Sequence, residues 1–221
     1  MNFQTYPDRE LMALSMADRI AGELRQNLDA GRPTSLCVPG GTTPAQMFGS
    51  LAALPLDWGN VTVFLNDERW VAADDPRSNT AMLRRALLTG PAAAAGYIDL
   101  YTGDPTPEGA APALSELIRP HLPITVLVLG MGLDRHIASL FPGAPGLGAL
   151  MAADADPVMA AMGGGEPRIT LTLPALKSAL NIHVMITGED KRAAIEAAEG
   201  ADPAEAPIAA FLRDAVVHYA D

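Results

Sequence analysis

The residues best suited to acid–base chemistry lie in one short segment, GMGLDRHIAS, residues 130–139. Asp134 and His136 stand two positions apart in it. Histidine is the usual general base near neutral pH, and a neighbouring carboxylate can hold it in one tautomer. The N–H groups of Gly130 and Gly132 are candidates for stabilising an oxyanion. The segment therefore predicts a catalytic His136 supported by Asp134.

The same segment contains a GxG pattern but not a dinucleotide-binding fingerprint. The third glycine of GxGxxG is replaced by Arg135, and no acidic residue clearly follows a later strand. We therefore expect no nicotinamide cofactor here. The other three histidines, His121, His183 and His218, are expected to be structural.

A second group of charged residues, NDERW at positions 66–70, directly follows an apolar run. Three consecutive charges are costly to bury unless they are paired or bind a ligand. Arg69 can grip a phosphate or carboxylate through two hydrogen bonds. Asp67 can bind sugar hydroxyls or move a proton. The alternative is a solvated loop with a local salt bridge.

A glycine-rich turn, PGGTTP at positions 39–44, has the features of an anion site. Gly40 and Gly41 allow a tight turn and a close approach to a ligand. Thr43 is expected to cap a helix with Pro44 at its first position, which leaves N–H groups facing an anion beside Thr42. The GKS or GKT ending of a nucleotide-binding P-loop is absent. A plain strand-to-helix turn is the alternative.

Two further basic residues, Arg168 and Lys191, lie at the ends of predicted strands. Arg168 opens the strand RITLT, and Lys191 is near a helix start. Either can neutralise a phosphate, although a lone basic residue is more often a surface charge or part of an ion pair. Because ligands of open α/β sheets bind beyond the carboxyl ends of the strands, we expect all these segments to converge on one crevice.

The elements that must position these residues alternate between strands and helices, as in βαβ units. Strands are predicted at 35–38, 61–65, 97–101, 124–129, 168–173, 181–187 and, as an edge strand, 216–219. Helices are predicted at 9–28, from 44, at 78–88, 174–178 and 189–198. The stretches 90–96, 103–113 and 143–165 are expected to be surface connections or a lid. The prediction is one α/β domain over residues 1–221, with an open, mostly parallel, Rossmann-like sheet and helices on both faces.

Composition excludes several classes of protein. The net charge of −11 argues against a nucleic-acid partner, which would need clustered basic residues. A single cysteine, Cys37, cannot form an internal disulfide, and four scattered histidines argue against a histidine-rich metal site.

The longest apolar stretch, 124–133, is roughly half of a membrane span, and the first residues lack a signal pattern. We expect a soluble cytoplasmic protein with no metal and no membrane partner. The oligomeric state stays open, and a monomer is compatible with the sequence.

Five motifs in order, GGTTP, NDERWV with RSN, GMGLDRHIASLFPG, RITLT and GEDK, resemble the 6-phosphogluconolactonase family. That family is similar in fold to the glucosamine-6-phosphate deaminases, and the match covers residues 35–195. The resemblance implies a hydrolase that needs neither metal nor cofactor. It would open 6-phospho-D-glucono-1,5-lactone, a small phosphorylated sugar lactone, to 6-phosphogluconate in the oxidative pentose phosphate pathway.

The resemblance also implies roles for individual residues. His136 matches the family's catalytic histidine, which activates water, and Asp67 matches the acidic residue of the DER motif. Arg69 and Lys191 match phosphate-binding positions, with the loop Gly40-Gly41-Thr42 beside them and Arg168 as a further basic residue at the same site. No covalent intermediate is required. Ser139 and Cys37 have no obvious base and are not expected to be nucleophiles.

One departure concerns Arg135, where the family usually has glycine. If the position needs a positive φ, arginine would be strained there by roughly 1 kcal/mol. Otherwise its side chain points outward or adds a cation over the substrate. Two other functions stay open: a deaminase-like isomerase and a phosphosugar-binding protein without catalysis. Phe141-Pro142 stands where the deaminases carry a glutamate, which disfavours the isomerase.

Overall fold

A computed structural model describes residues 1–221 and contains two sheets. The larger has seven parallel strands in the order β1-β10-β9-β6-β2-β3-β5, and the smaller has three antiparallel strands in the order β4-β8-β7. The ten strands are β1 (Asn2–Thr5), β2 (Thr34–Val38), β3 (Val61–Leu65), β4 (Asp67–Arg69), β5 (Gly96–Ile98), β6 (Val126–Leu129), β7 (Val158–Gly163), β8 (Glu166–Leu171), β9 (Asn181–Thr187) and β10 (Val216–Ala220). The parallel sheet confirms the predicted α/β fold class.

Seven α-helices flank the sheets. They are α1 (Arg9–Asp29), α2 (Ala45–Ala52), α3 (Asn79–Ala86), α4 (Pro107–Ile118), α5 (Leu147–Leu150), α6 (Leu173–Lys177) and α7 (Glu189–Glu196). The longest, α1, begins where the Asp8 side chain accepts a hydrogen bond from the Leu11 N–H. The spacing of Leu11, Leu14, Ile20 and Leu24 predicts an apolar stripe on this helix; Ile20 and Leu24 are buried as expected, whereas Leu11 and Leu14 are each 46% exposed. No helix is both long and apolar enough to cross a membrane.

The core surrounds β6, which lies between β9 and β2. All four residues of β6 are buried, because helices cover both faces of a parallel sheet and leave no polar side to the strand. This agrees with the prediction that the most apolar run of the chain is a central strand.

Several local predictions were wrong. The strand predicted as an edge, β10, is paired on both sides, and the edge is β1, whose polar sequence NFQT did not suggest a strand. The predicted polar loop after β3 contains β4, and β8 is antiparallel in the smaller sheet. The stretches expected to be surface connections contain the start of α4, as well as α5 and β7. Tertiary contacts, such as the pairing of β7 with β8, decide this structure, and the composition of the stretches does not specify them.

Asn66 links the two sheets at the end of β3. Its N–H donates to the Val38 carbonyl of β2 at 2.9 Å, and its carbonyl accepts from the Leu171 N–H of β8 at 2.9 Å. Pairing of β4 with β8 then places Arg69 directly opposite Arg168. The smaller sheet thus brings two distant basic residues to the carboxyl ends of the parallel strands.

Candidate active site

A cavity of about 400 Å³ opens at the carboxyl ends of β2, β3, β6 and β9. Nine of the residues singled out from the sequence line it: Gly40, Gly41, Asp67, Arg69, Gly130, Gly132, His136, Arg168 and Lys191. The expected convergence of these segments therefore occurs. Asp134 contacts His136 but does not itself line the cavity. Thr42 is exposed outside the wall, and its neighbour Thr43 lines the cavity in its place.

The histidine and its carboxylate partner are in direct contact. Nδ1 of His136 and Oδ1 of Asp134 are 2.5 Å apart. Because an ionised carboxylate only accepts hydrogen bonds, the neutral imidazole carries its proton on Nδ1 and leaves Nε2 as the basic nitrogen. Burial raises the pKa of Asp134, but the hydrogen bonds and charge of His136 outweigh burial and hold that pKa below its usual value. This is the tautomer that a general base needs.

Glycine is required at position 132 by close packing. A Cβ atom there would lie 2.1 Å from Nδ1 of His136 and 2.3 Å from Oδ1 of Asp134. The Gly132 N–H donates to the His136 carbonyl at 2.9 Å. The prediction that this N–H stabilises an oxyanion is therefore wrong, because the donor is already used to close the loop. Gly130 remains as the candidate of the pair.

Arg135 has a φ of 68°, a left-handed conformation that glycine, the residue the family usually has at this position, adopts without strain. Its N–H donates to the Gly132 carbonyl at 3.0 Å, and its carbonyl accepts from the Ile208 N–H at 3.3 Å. The backbone is thus held in place at a cost of roughly 1 kcal/mol. The Arg135 side chain does not line the cavity, which argues against a cation over the substrate.

Asp67 is buried in a charge-balanced cluster. Its Oδ2 accepts from the Ser139 hydroxyl at 2.5 Å and from Nη1 of Arg168 at 3.3 Å. The expectation that Ser139 has no base nearby was wrong, but Ser139 is buried and does not line the cavity. Both bonds end on Oδ2, and Asp67 also lines the cavity.

Most of the hydrogen-bond donors of Arg168 bind acceptors within the protein. Besides Asp67, it donates from Nε to the Gly163 carbonyl at 3.0 Å and from Nη2 to Glu166 at 3.4 Å. Three of its N–H groups are thereby used, and its side chain is 11% exposed. Arg168 therefore braces the cavity wall, and two of its five N–H groups are left for a ligand, so its part in phosphate binding stays a prediction.

Glu166, which sequence reasoning missed, contacts three arginines. Its carboxylate lies 3.2 Å from Nε of Arg69, 2.8 Å from Nη1 of Arg77 and 3.4 Å from Nη2 of Arg168. Arg69 also donates to the Arg77 carbonyl. Arg77 is also paired with Asp75 and Arg168 with Asp67, so three carboxylates balance the three guanidinium groups. Of the three arginines, Arg69 and Arg168 line the cavity, where an anion can approach them.

Of the three charges in the DER motif, Glu68 is structural. It is fully buried and accepts from the N–H groups of Arg69, Asn79 and Thr80 at 2.7 to 2.9 Å. Burial raises its pKa, and these N–H bonds offset part of that increase. Glu68 thus anchors the start of α3, where the Ser78 side chain accepts a hydrogen bond from the Ala81 N–H.

The anion-binding side of the cavity is formed by Lys191 and the glycine turn. Nζ of Lys191 donates to the Met131 carbonyl at 2.5 Å, and burial lowers its pKa while the charge of Asp134 opposes this. Thr43 does not cap α2, whose N-cap is Pro44 with no side-chain hydrogen bond. The first N–H groups of this helix therefore have no side-chain acceptor.

Sequence reasoning gave no individual role to three other cavity residues, Asn66, Asn79 and Phe141. A Cβ at Gly40 would lie 2.0 Å from Cγ of Asn79, so the turn and α3 interlock. Oδ1 of Asn66 is buried without a hydrogen-bond partner. Phe141 lines the cavity beside His136. Asn66 directly follows the apolar strand β3 and could have been identified by that position. Phe141 could not, because an aromatic residue there is more simply predicted to lie in the core.

The fold and the cavity together define an α/β protein with a carboxylate-supported histidine and basic side chains in a cavity at the strand ends. The profile of the glucosamine-6-phosphate isomerases/6-phosphogluconolactonase family matches residues 7–219. The chain belongs to this family.

Individual relatives show the same similarity. The 6-phosphogluconolactonase of Mesorhizobium japonicum is 41% identical over 216 residues, which cover 96% of this chain and 90% of the relative. That of Pseudomonas putida is 39% identical over 211 residues, 94% of this chain and 87% of the relative. The crystal structure of a 6-phosphogluconolactonase from Shewanella baltica has a TM-score of 0.95 at 31% identity, over 100% of this chain and 98% of that chain.

Proposed function

We propose that this protein hydrolyses 6-phospho-D-glucono-1,5-lactone to 6-phosphogluconate, the reaction of the oxidative pentose phosphate pathway. The observation that carries the proposal is the pair His136–Asp134, which holds the histidine in the basic tautomer within a cavity that also presents Arg69 and Lys191. The names of the relatives support the choice of substrate.

In the proposed mechanism, Nε2 of His136 takes a proton from a water molecule as its oxygen attacks the lactone carbonyl carbon. The carbonyl oxygen becomes an oxyanion, for which the Gly130 N–H is the candidate donor. The bond between the carbonyl carbon and the ring oxygen then breaks. The departing ring oxygen receives the proton from His136, which regenerates the neutral base.

Arg69 and Lys191 bind the phosphate in this proposal, beside the glycine turn. Charged donors form the stronger hydrogen bonds to phosphate oxygens, and the Glu166 contact keeps the Arg69 guanidinium in place. Asp67 binds a sugar hydroxyl through the carboxylate oxygen left free by Ser139 and Arg168. We further propose that residues 1–221 act as one domain in the cytoplasm, without a cofactor, nucleic acid or membrane partner.

The test is the rate at which freshly made lactone disappears, followed by proton release and compared with spontaneous opening, with and without EDTA. We expect fast hydrolysis that the chelator does not change. His136→Gln should abolish it, while His121→Gln, a histidine outside the cavity, should not. No acceleration by the wild-type protein would reject the proposal. Ammonia release from glucosamine 6-phosphate would favour the isomerase instead.

A further inference from the structure

The ring of Phe141 lies against the imidazole of His136. The two ring centroids are 4.0 Å apart, and the planes are inclined by 24°, which is a stacked arrangement. Phe141 also lines the cavity. Neither the proton transfer nor the binding of the phosphate described above uses this side chain.

The smaller sheet holds this ring from other directions. Cζ of Arg168 lies 5.4 Å from the centre of the Phe141 ring. A Cβ atom at Gly163 would lie 2.1 Å from Cε2 of the same ring. Gly163 does not have a positive φ, so glycine is required there for space and not for backbone conformation. The ring therefore occupies the volume that a side chain at position 163 would take.

The other restraint on His136 is exposed to solvent. The side chain of Asp134 is 53% exposed, so water competes for its hydrogen bond to Nδ1. The charged groups around the imidazole are Asp134 on its own loop, Arg168 on β8, Lys191 on α7, and Asp67 and Arg69 on β4. None of the four outside its loop hydrogen-bonds the imidazole. Gly132 packs against the Nδ1–Cε1 edge of the ring, and the stack on Phe141 is the contact that covers its face and can fix its plane.

We propose that Phe141 is a positioning residue for His136: its ring fixes the imidazole plane and favours the imidazolium that forms when His136 takes a proton. This rests on the proposed function, in which His136 is the base. The face of an aromatic ring carries negative charge density and attracts a cation, so the stack strengthens as the proton arrives. Removing the ring should therefore affect turnover more than substrate binding.

The test uses two independent ways of removing the contact. Phe141→Leu deletes the ring, and Gly163→Ala displaces it without altering either partner. Gly148→Ala, in α5 with no atom within 4 Å of the added Cβ, is the matched control. We would measure kcat and KM for the lactone. In parallel, we would titrate the His136 imidazole by NMR, with its signal assigned by loss in His136→Gln.

We expect kcat to fall about tenfold in Phe141→Leu, with KM within about twofold of wild type. The NMR titration of the His136 imidazole should move to lower pH in both variants, because imidazolium loses its aromatic neighbour. The double variant should be no worse than Phe141→Leu, since both changes act through one ring. Gly148→Ala should match wild type in kcat and in titration.

An unchanged His136 titration in both variants would overturn the proposal, and so would additive losses of kcat in the double variant. If Phe141→Leu fails to fold, Gly163→Ala decides in the same way. A wild-type protein without lactonase activity would reject the proposed function separately. The titration would then still show whether Phe141 stabilises the imidazolium.

Discussion

A buried chain of hydrogen bonds on the α1 side of the sheet predicts how stability depends on pH. The Tyr6 hydroxyl lies 2.8 Å from Nδ1 of His218, Nε2 of His218 lies 3.0 Å from Nδ1 of His183, and Nε2 of His183 lies 2.7 Å from Glu23. One proton arrangement satisfies every atom: Tyr6 donates to His218, His218 to His183, and His183 to the carboxylate. Both histidines are neutral in it.

Protonation of His218 is therefore unfavourable in the folded protein. Burial, followed by the nearby His183 and Arg19, lowers its pKa from 6.5 to about 3. Since the unfolded chain binds a proton at higher pH than the folded one, the stabilisation is present above pH 6.5 and is lost as the pH falls towards 3. Between pH 8 and pH 5 the loss from this one residue is about 2 kcal/mol.

The assay is urea unfolding of wild type and His218→Phe at several pH values between 8 and 5. The variant should be less stable at every pH, because Tyr6 and His183 lose their partner. Its free energy of unfolding should nevertheless fall by about 2 kcal/mol less than that of wild type over this range. The m-value of each protein must stay constant for the comparison to hold. Equal losses in the two proteins would refute the assignment of the pH dependence to His218.

Three further changes have definite expected outcomes. His136→Gln should lower kcat by about 10² to 10⁴ with little change in KM for the lactone, and a kcat within a factor of three of wild type would contradict its role as base. Glu166→Gln should raise KM about fivefold without changing kcat, because Arg69 loses an ion pair worth about 1 kcal/mol; a lower KM would show that Glu166 only competes with the substrate. Arg135→Gly should leave turnover unchanged and change the free energy of unfolding by less than about 1 kcal/mol, since relief of the positive φ is offset by the greater entropy of glycine in the unfolded chain. A loss of turnover in Arg135→Gly would place the arginine side chain in the reaction.

Much of the architecture follows from local patterns. The strands at 61–65 and 181–187 have the predicted bounds, and the helix predicted at 9–28 is α1 with one further residue. Alternating strands and helices then specify a parallel sheet, and the rule that ligands bind at strand ends locates the cavity. The sequence alone therefore predicts that His136, Arg69 and Lys191 share one site, and all three line the cavity.

Predictions failed where a residue's environment is set by distant parts of the chain. The strand β10 has an apolar sequence whether it is an edge or an interior strand, and only its pairing with β1 distinguishes the two. The carboxylate of Asp67, which occupies one donor of Arg168, lies 101 residues away in the chain, so this contact could not be predicted from the sequence. The Gly132 N–H is a local case: it donates to the His136 carbonyl, and the conformation of the loop decides that bond.

By itself, then, the sequence determined the fold class, the place of the cavity and the identity of its candidate base, because hydrophobic periodicity and polar residues at strand ends are local properties. The tertiary structure decided which charged groups are free. Antiparallel pairing of β4 with β8 sets Arg69 opposite Arg168 and brings Glu166 between them. It also decided that Phe141 packs on His136 and not in the core. The contacts of Arg69 depend on the register of two strands that are far apart in the chain, and the stack of Phe141 on His136 depends on the conformation of the loop that joins them. Neither is specified by the residues next to each position in the sequence.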